Sequence, residues 1–145
     1  MLLTAALLSV SFAQQAAYGA TYYLDATNGD DSGAGTSDAP WRTLARAYTW
    51  YSGTGAKVRE GDTVLLRNGQ YGQFKEDTNS GQAYLLYRNG WVTYKADAGH
   101  NPVLNGIFIQ NLDKWNGQGN GTSRLRFEGL RIEAAVTIKH TTAME

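Results

Sequence analysis

The sequence predicts an all-β solenoid, a chain of short strands climbing in coils that rest on one another. Three observations carry this. Of 145 residues, 17 are glycine and only two proline while 42% are hydrophobic, a composition of many turns between apolar segments rather than of disorder. From Glu60 onward no helical period is visible, and short apolar alternations recur between glycines and asparagines. In the stretch LRFEGLRIEAAVTIK, Leu125, Phe127, Leu130, Ile132, Val136 and Ile138 fall on one side, and Arg126, Glu128, Arg131, Glu133 and Lys139 on the other. A single Gly129 between such short strands suits the corner of a coil, whereas a hairpin calls for a two-residue turn between longer strands. Stacked coils then bury the inward side chains in a continuous core that no coil forms alone.

The elements follow in order. Leu2 to Phe12 is an apolar run too short to span a bilayer, and small residues follow it to Ala20. Residues 1–20 are therefore read as a leader, although no Lys or Arg precedes the apolar run. Its cleavage point has three candidates, after Ala13, after Gly19 (with Ala17 as the second small residue) or after Ala20. Residues 21–59 then give a β-branched and aromatic strand from Thr21 to Asp25, a turn-rich loop from Ala26 to Asp38, and a short amphipathic helix from Thr43 to Tyr51. In that helix Leu44, Ala45, Tyr48 and Tyr51 share a face, and Thr43 is the expected N-cap. Residues 60–145 are the first coils, with strands expected at Thr63–Arg67, Tyr84–Tyr87, Trp91–Ala96, Pro102–Leu104, Ile107–Ile109, Leu125–Phe127, Leu130–Ile132 and Val136–Ile138. Arg-Asn-Gly recurs at residues 67–69 and 88–90, 21 residues apart, an echo that either a repeat or chance produces.

Charge and composition exclude several functions. Thirteen basic residues balance thirteen acidic ones and no basic block occurs, so nucleic acid is not expected as a partner. Without cysteine there are no disulfides or thiolate metal sites. His100 and His140 share no metal-binding spacing, and neither a nucleophile elbow nor a phosphate loop nor a zinc signature is present.

The segments YYLDATNGDDSGAGTSDAPWRTLARA, EGDTVLLRNGQY, WVTYKADAGHNPVLNG and LRFEGLRIE, in this order, resemble the N-terminal region of pectate-lyase-like parallel β-helix proteins. The resemblance covers most of the chain after the leader. It implies a right-handed parallel β-helix with a short N-terminal capping α-helix, stopping after the first coils, and a secreted, periplasmic or cell-surface protein that handles polysaccharide. Its implied chemistry is β-elimination from an acidic polysaccharide, with calcium as a cofactor of the complete protein. The family's active-site residues come from later coils, so these 145 residues are not expected to be active alone.

Lyase chemistry needs a cation to neutralise the sugar carboxylate and a base to take the adjacent proton. No residue is assigned a catalytic role. Arg126, Arg131 and Lys139 are candidates for substrate binding because they are outward on the last expected strands, and Trp115 because it sits in the polar loop NLDKWNGQGNGTS. Trp91, Tyr84 and Tyr94 are further aromatic platforms, weighed against an ordinary core role. Asp30 and Asp31 are candidate calcium ligands, weighed against turn formation. The cation row has its own bland alternative, a solvated face on which Arg126 pairs with Glu128 and Arg131 with Glu133. Two other functions stay open, a noncatalytic glycan-binding or adhesin β-helix and a structural solenoid segment. Once the leader is cut no membrane contact is expected, and self-association through the open end of the solenoid is.

Overall fold

The computed structural model describes residues 19–47, 58–59, 61–77, 91–110 and 124–139. Ten strands and one short helix make up this part: β1 (Thr21–Leu24), α1 (Leu44–Ala47), β2 (Thr63–Leu66), β3 (Gly69–Gln70), β4 (Phe74–Asp77), β5 (Val92–Ala96), β6 (Pro102–Leu104), β7 (Ile107–Gln110), β8 (Leu125–Glu128), β9 (Arg131–Ile132) and β10 (Val136–Lys139). They form three sheets ordered β1-β2-β5-β8, β3-β6-β9 and β10-β7-β4, and every pairing is parallel. Each coil gives one strand to each sheet, which is a right-handed parallel β-helix, the fold expected from sequence. Turns within a coil are two to five residues long, while 14 residues separate Asp77 from Val92 and 14 separate Gln110 from Leu125.

Register lines up like residues into columns. In the first sheet Tyr22, Val64, Tyr94 and Phe127 stack inward, as do Leu24 and Leu66. In the sheet of β4, β7 and β10 the inward column is Phe74, Ile107 and Val136. The aromatic members interlock, with Phe74 edge-on to Tyr94 at 4.9 Å and to Phe127 at 5.0 Å, while Tyr94 and Phe127 stack at 5.6 Å. Tyr94 is wholly buried, and its hydroxyl donates to the Ala47 carbonyl at 2.9 Å, satisfying one of the orphan carbonyls at the end of α1. Leu44 is buried as the amphipathic pattern expects, but the second buried residue of α1 is Ala47, and Ala45, placed on that face from sequence, is exposed. Positions 48–51 of the expected helix lie outside the described residues.

Two glycines are required by geometry. Gly129 turns the corner after β8 at φ 65°, as its isolated position predicts. Gly35, at φ 78°, lies flat on the indole of Trp41, where a Cβ would come within 2.5 Å of Cε2. Trp41 itself is fully buried, stacks on Tyr22 at 4.8 Å and donates its indole N–H to the Gly33 carbonyl at 2.9 Å.

Several sequence expectations need correction. The Arg-Asn-Gly echo is not the coil repeat, because register pairs Thr63 with Thr93, 30 positions on, and Thr93 with Arg126, 33 positions on. Strands β3 and β4 were not anticipated. Gly69–Gln70 and Phe74–Asp77 carry almost no apolar signal, and they are strands because they pair with β6 and β7. Val136 and Ile138 occupy the core side in register with Ile107 and Ile109, yet they are 54% and 68% exposed because no described strand lies over them. The expected strand Tyr84–Tyr87 lies outside the described residues. Among those residues, no helix is long and apolar enough to cross a membrane.

Candidate functional site

The three cations proposed from sequence are not brought together. Arg126 lies on β8, Arg131 on β9 and Lys139 on β10, and these strands belong to three different sheets. A coil turns between each pair, so side chains that alternate outward along the sequence leave the solenoid in three directions. Arg131 pairs with Glu133 at 2.8 Å on an open surface, and Lys139 is exposed. Trp115 lies outside the described residues.

Around Arg126 the outer face of the first sheet does assemble a group. Val92 and Tyr94 point into the core, so Trp91, Thr93 and Lys95 alternate to the outside. Parallel register sets Thr93 beside Arg126 and Lys95 beside Glu128. The Arg126 guanidinium stands 5.0 Å from the centre of the Trp91 ring, and Trp91 remains 47% exposed. Glu128 holds both cations loosely, with Lys95 Nζ 3.6 Å from one oxygen and Arg126 Nε 3.7 Å from the other. Thr21, Thr63 and Thr93 continue the Arg126 column down the same face, a row of hydroxyls ending at the guanidinium. Such a surface offers an apolar platform, hydroxyl partners and two cations sharing one carboxylate. Trp91 was weighed from sequence only as one of several aromatics; its partnership with a residue 35 positions later appears once register is known.

Asp30 and Asp31 organise the loop. The Ser32 N–H and hydroxyl, followed by Arg42, hold the Asp30 carboxyl below its ordinary range. Asp31 accepts from the backbone N–H groups of Arg42 and Thr43 at 2.8 and 2.9 Å and from the Thr43 hydroxyl at 2.7 Å, tying the loop to the residue before α1. Thr43 thus holds the expected cap position, but its hydroxyl serves Asp31. Both oxygens of Asp31 and one of Asp30 are engaged by these donors, so both carboxylates do the work of turn formation that was the alternative to calcium binding. Among the described residues no three His, Asp or Glu side chains converge as metal ligands would.

A polar column binds successive coils at the first turn. Asp25, Arg67 and Asp97 stand one above another just past the ends of β1, β2 and β5, with Arg67 Nη1 3.8 Å from Asp25 and Nε 3.6 Å from Asp97. Burial alone would raise the pKa of Asp25, but the N–H groups of Asn28 and Thr27, the Asn28 side chain and Arg67 outweigh it and lower the value. The Tyr71 hydroxyl bridges the carbonyls of Leu24 and Arg67, each 3.0 Å away, and accepts from Ala26 N–H. Chiefly through burial, its pKa is pushed up to about 12. These groups are structural fastenings, already saturated with partners.

No family model matches the chain. Over 71 residues, 45% of this chain, it is 38% identical to the lacto-N-biosidase of Bifidobacterium longum subsp. longum, and the match spans 4% of that protein. A solved rhamnogalacturonan lyase aligns with a TM-score of 0.42 and 24% identity, covering 80% of this chain and 28% of the lyase. The chain therefore spans a small part of either relative.

Proposed function

We propose that this chain is a region of an exported, carbohydrate-active β-helix protein acting on an acidic polysaccharide, with β-elimination as the chemistry of the whole protein. The observation that carries the reading is the open face formed by Trp91, Arg126 and Lys95. A pyranose ring presents C–H groups to the exposed indole, its hydroxyls meet the threonine column, and a uronate carboxylate competes with Glu128 for Arg126 and Lys95. Neutralising that carboxylate makes the neighbouring C–H more acidic, which is the first requirement of β-elimination. The 38% identity to an enzyme named for a saccharide supports carbohydrate as the ligand class.

A second reading, glycan binding without chemistry, is favoured by a specific observation. On this face the two cations already share Glu128, so the surface is equipped for holding a ligand, and no described group stands there as an uncommitted base.

The test incubates the full chain with polygalacturonate, alginate and a neutral glucan, and follows both retention on the immobilised polymers and ultraviolet absorbance of unsaturated uronate ends. Salt-sensitive retention on the acidic polymers, weakened by Trp91→Ala and Arg126→Gln, is expected. Rising absorbance supports elimination by this region itself, and retention without it supports a binding role for this region, whatever the chemistry of the whole protein. Failure to bind any saccharide would sink both and leave a structural solenoid segment. Val136 and Ile138, exposed together, are where two copies would meet in self-association, which sedimentation at rising concentration reads out.

A further inference from the structure

Asp62 is a buried carboxylate that the proposed saccharide surface does not use. It is only 5% exposed, and both oxygens point at backbone nitrogens: Oδ1 accepts from Ala20 N at 2.6 Å and Oδ2 from Arg59 N at 2.6 Å. Among the described residues it has no ion-pair partner. A buried carboxylate is ordinarily matched by a positive charge, and N–H···O distances this short are those of charge-assisted bonds. Ala20 is held on its other side as well, because its carbonyl accepts from Thr63 N–H at 2.9 Å.

The residues just before Ala20 are small, with Ala17 and Gly19 in the spacing that leader peptidases recognise. Gly19 runs so close to the Gly61 carbonyl that a Cβ on it would lie 1.9 Å from the oxygen. We infer that the chain is cut between Gly19 and Ala20 and that the α-ammonium freed on Ala20 docks on Asp62, a buried ion pair that fastens the new chain start to the turn before β2. A leader peptidase adds water across the Gly19–Ala20 peptide bond. Gly19 leaves with a carboxylate, and the Ala20 nitrogen, formerly a neutral amide with one hydrogen, becomes an ammonium with three.

Of the three cleavage points compatible with the sequence, this one alone puts the new charge on the atom that faces Asp62. A cut after Ala20 removes both the nitrogen that Asp62 holds and the carbonyl that receives Thr63 N–H. A cut after Ala13 leaves residues 14–19 ahead of Ala20 and keeps that nitrogen a neutral amide.

The experiment expresses residues 1–145 in a secreting host and determines the first residue of the exported protein by mass spectrometry. Ala20 is expected; a start at any other residue, or no processing, overturns the inference. On the protein beginning at Ala20, acetylation of the α-amine is then timed in the folded and the urea-unfolded chain. Docking on Asp62 predicts a reaction at least about tenfold slower in the folded chain, a difference equivalent to one charge-assisted hydrogen bond. Equal rates overturn the docking. Asp62→Asn, where it folds, should remove the protection without moving the cleavage point. If it does not fold, Asp62→Glu, which keeps the charge, should preserve the protection at least in part, and loss of it there also overturns the docking.

Discussion

The start of the solenoid and its third coil are built differently. At the start, Trp41, Leu24 and Val64 are fully buried, Asp31, Asp62 and Tyr71 each bond backbone groups of other segments, and Asp25 ties down the turn that follows it. In the third coil, β8 to β10, Arg126 and Arg131 are held by ion pairs on the surface, and Leu125, Phe127, Leu130 and Ile132 are only partly covered by the core they pack against. One region is specified from within by hydrogen bonds between distant positions. The other takes its form from the register of the coil beneath it, which leaves its outer face available for contact with a partner.

This contrast can be broken in order of expected effect. Trp41→Ala removes a buried ring, its stacking on Tyr22 and its bond to Gly33, and should cost about 3–5 kcal/mol, read from the denaturant midpoint. A loss under about 1 kcal/mol would mean the loop repacks and the start is no better specified than the third coil. Ile109→Ala should cost about 2–4 kcal/mol, whereas Ile138→Ala, one coil later in the same column, should stay within about 0.5 kcal/mol, as expected for a surface position. Equal losses would show that Ile138 is covered in solution.

Tyr71→Phe should cost about 1–2 kcal/mol by removing the hydroxyl that Ala26 N–H donates to and that donates to the Leu24 and Arg67 carbonyls, of which Leu24 keeps its bond from Arg67 N–H. Its pH signature is distinct. The Tyr71 pKa is raised in the folded state from 10.0 to about 12, so the stabilisation is complete below pH 10 and lost as pH rises toward 12. Thermal melts across that interval should show an alkaline decline in the native chain that is smaller in Tyr71→Phe. The smallest effect belongs to Arg131→Gln, about 0–0.5 kcal/mol despite the short 2.8 Å contact, because the arginine side chain is 72% exposed. A larger loss would place the third coil among the strongly specified regions.

Much of the architecture was legible because inward residues alternate with period two. Pro102–Leu104 was found with its observed bounds, and Leu125 to Ile132 showed its coil corner through Gly129. Phe74–Asp77 was invisible because a strand reading Phe-Lys-Glu-Asp is made by the ladder it joins. The 21-residue echo is the chance match that was its alternative, since coils repeat by backbone pairing, 30 and 33 positions apart. Of the candidate site, Arg126 was legible as an outward cation. Its separation from Arg131 and Lys139 was not, because direction around a three-sided coil depends on how many corners intervene. The work of Asp62 and Tyr71 was equally hidden, resting on partners 42 to 47 positions away.

The uneven connections have a consequence for anyone wishing to rebuild this molecule. Between β5 and β6, or β6 and β7, one added residue would shift the following strand by half a pleat period and turn its core side outward. The two- to five-residue turns within a coil are therefore fixed in length as firmly as the strands are fixed in pattern, and a change of loop length there acts on every strand that follows.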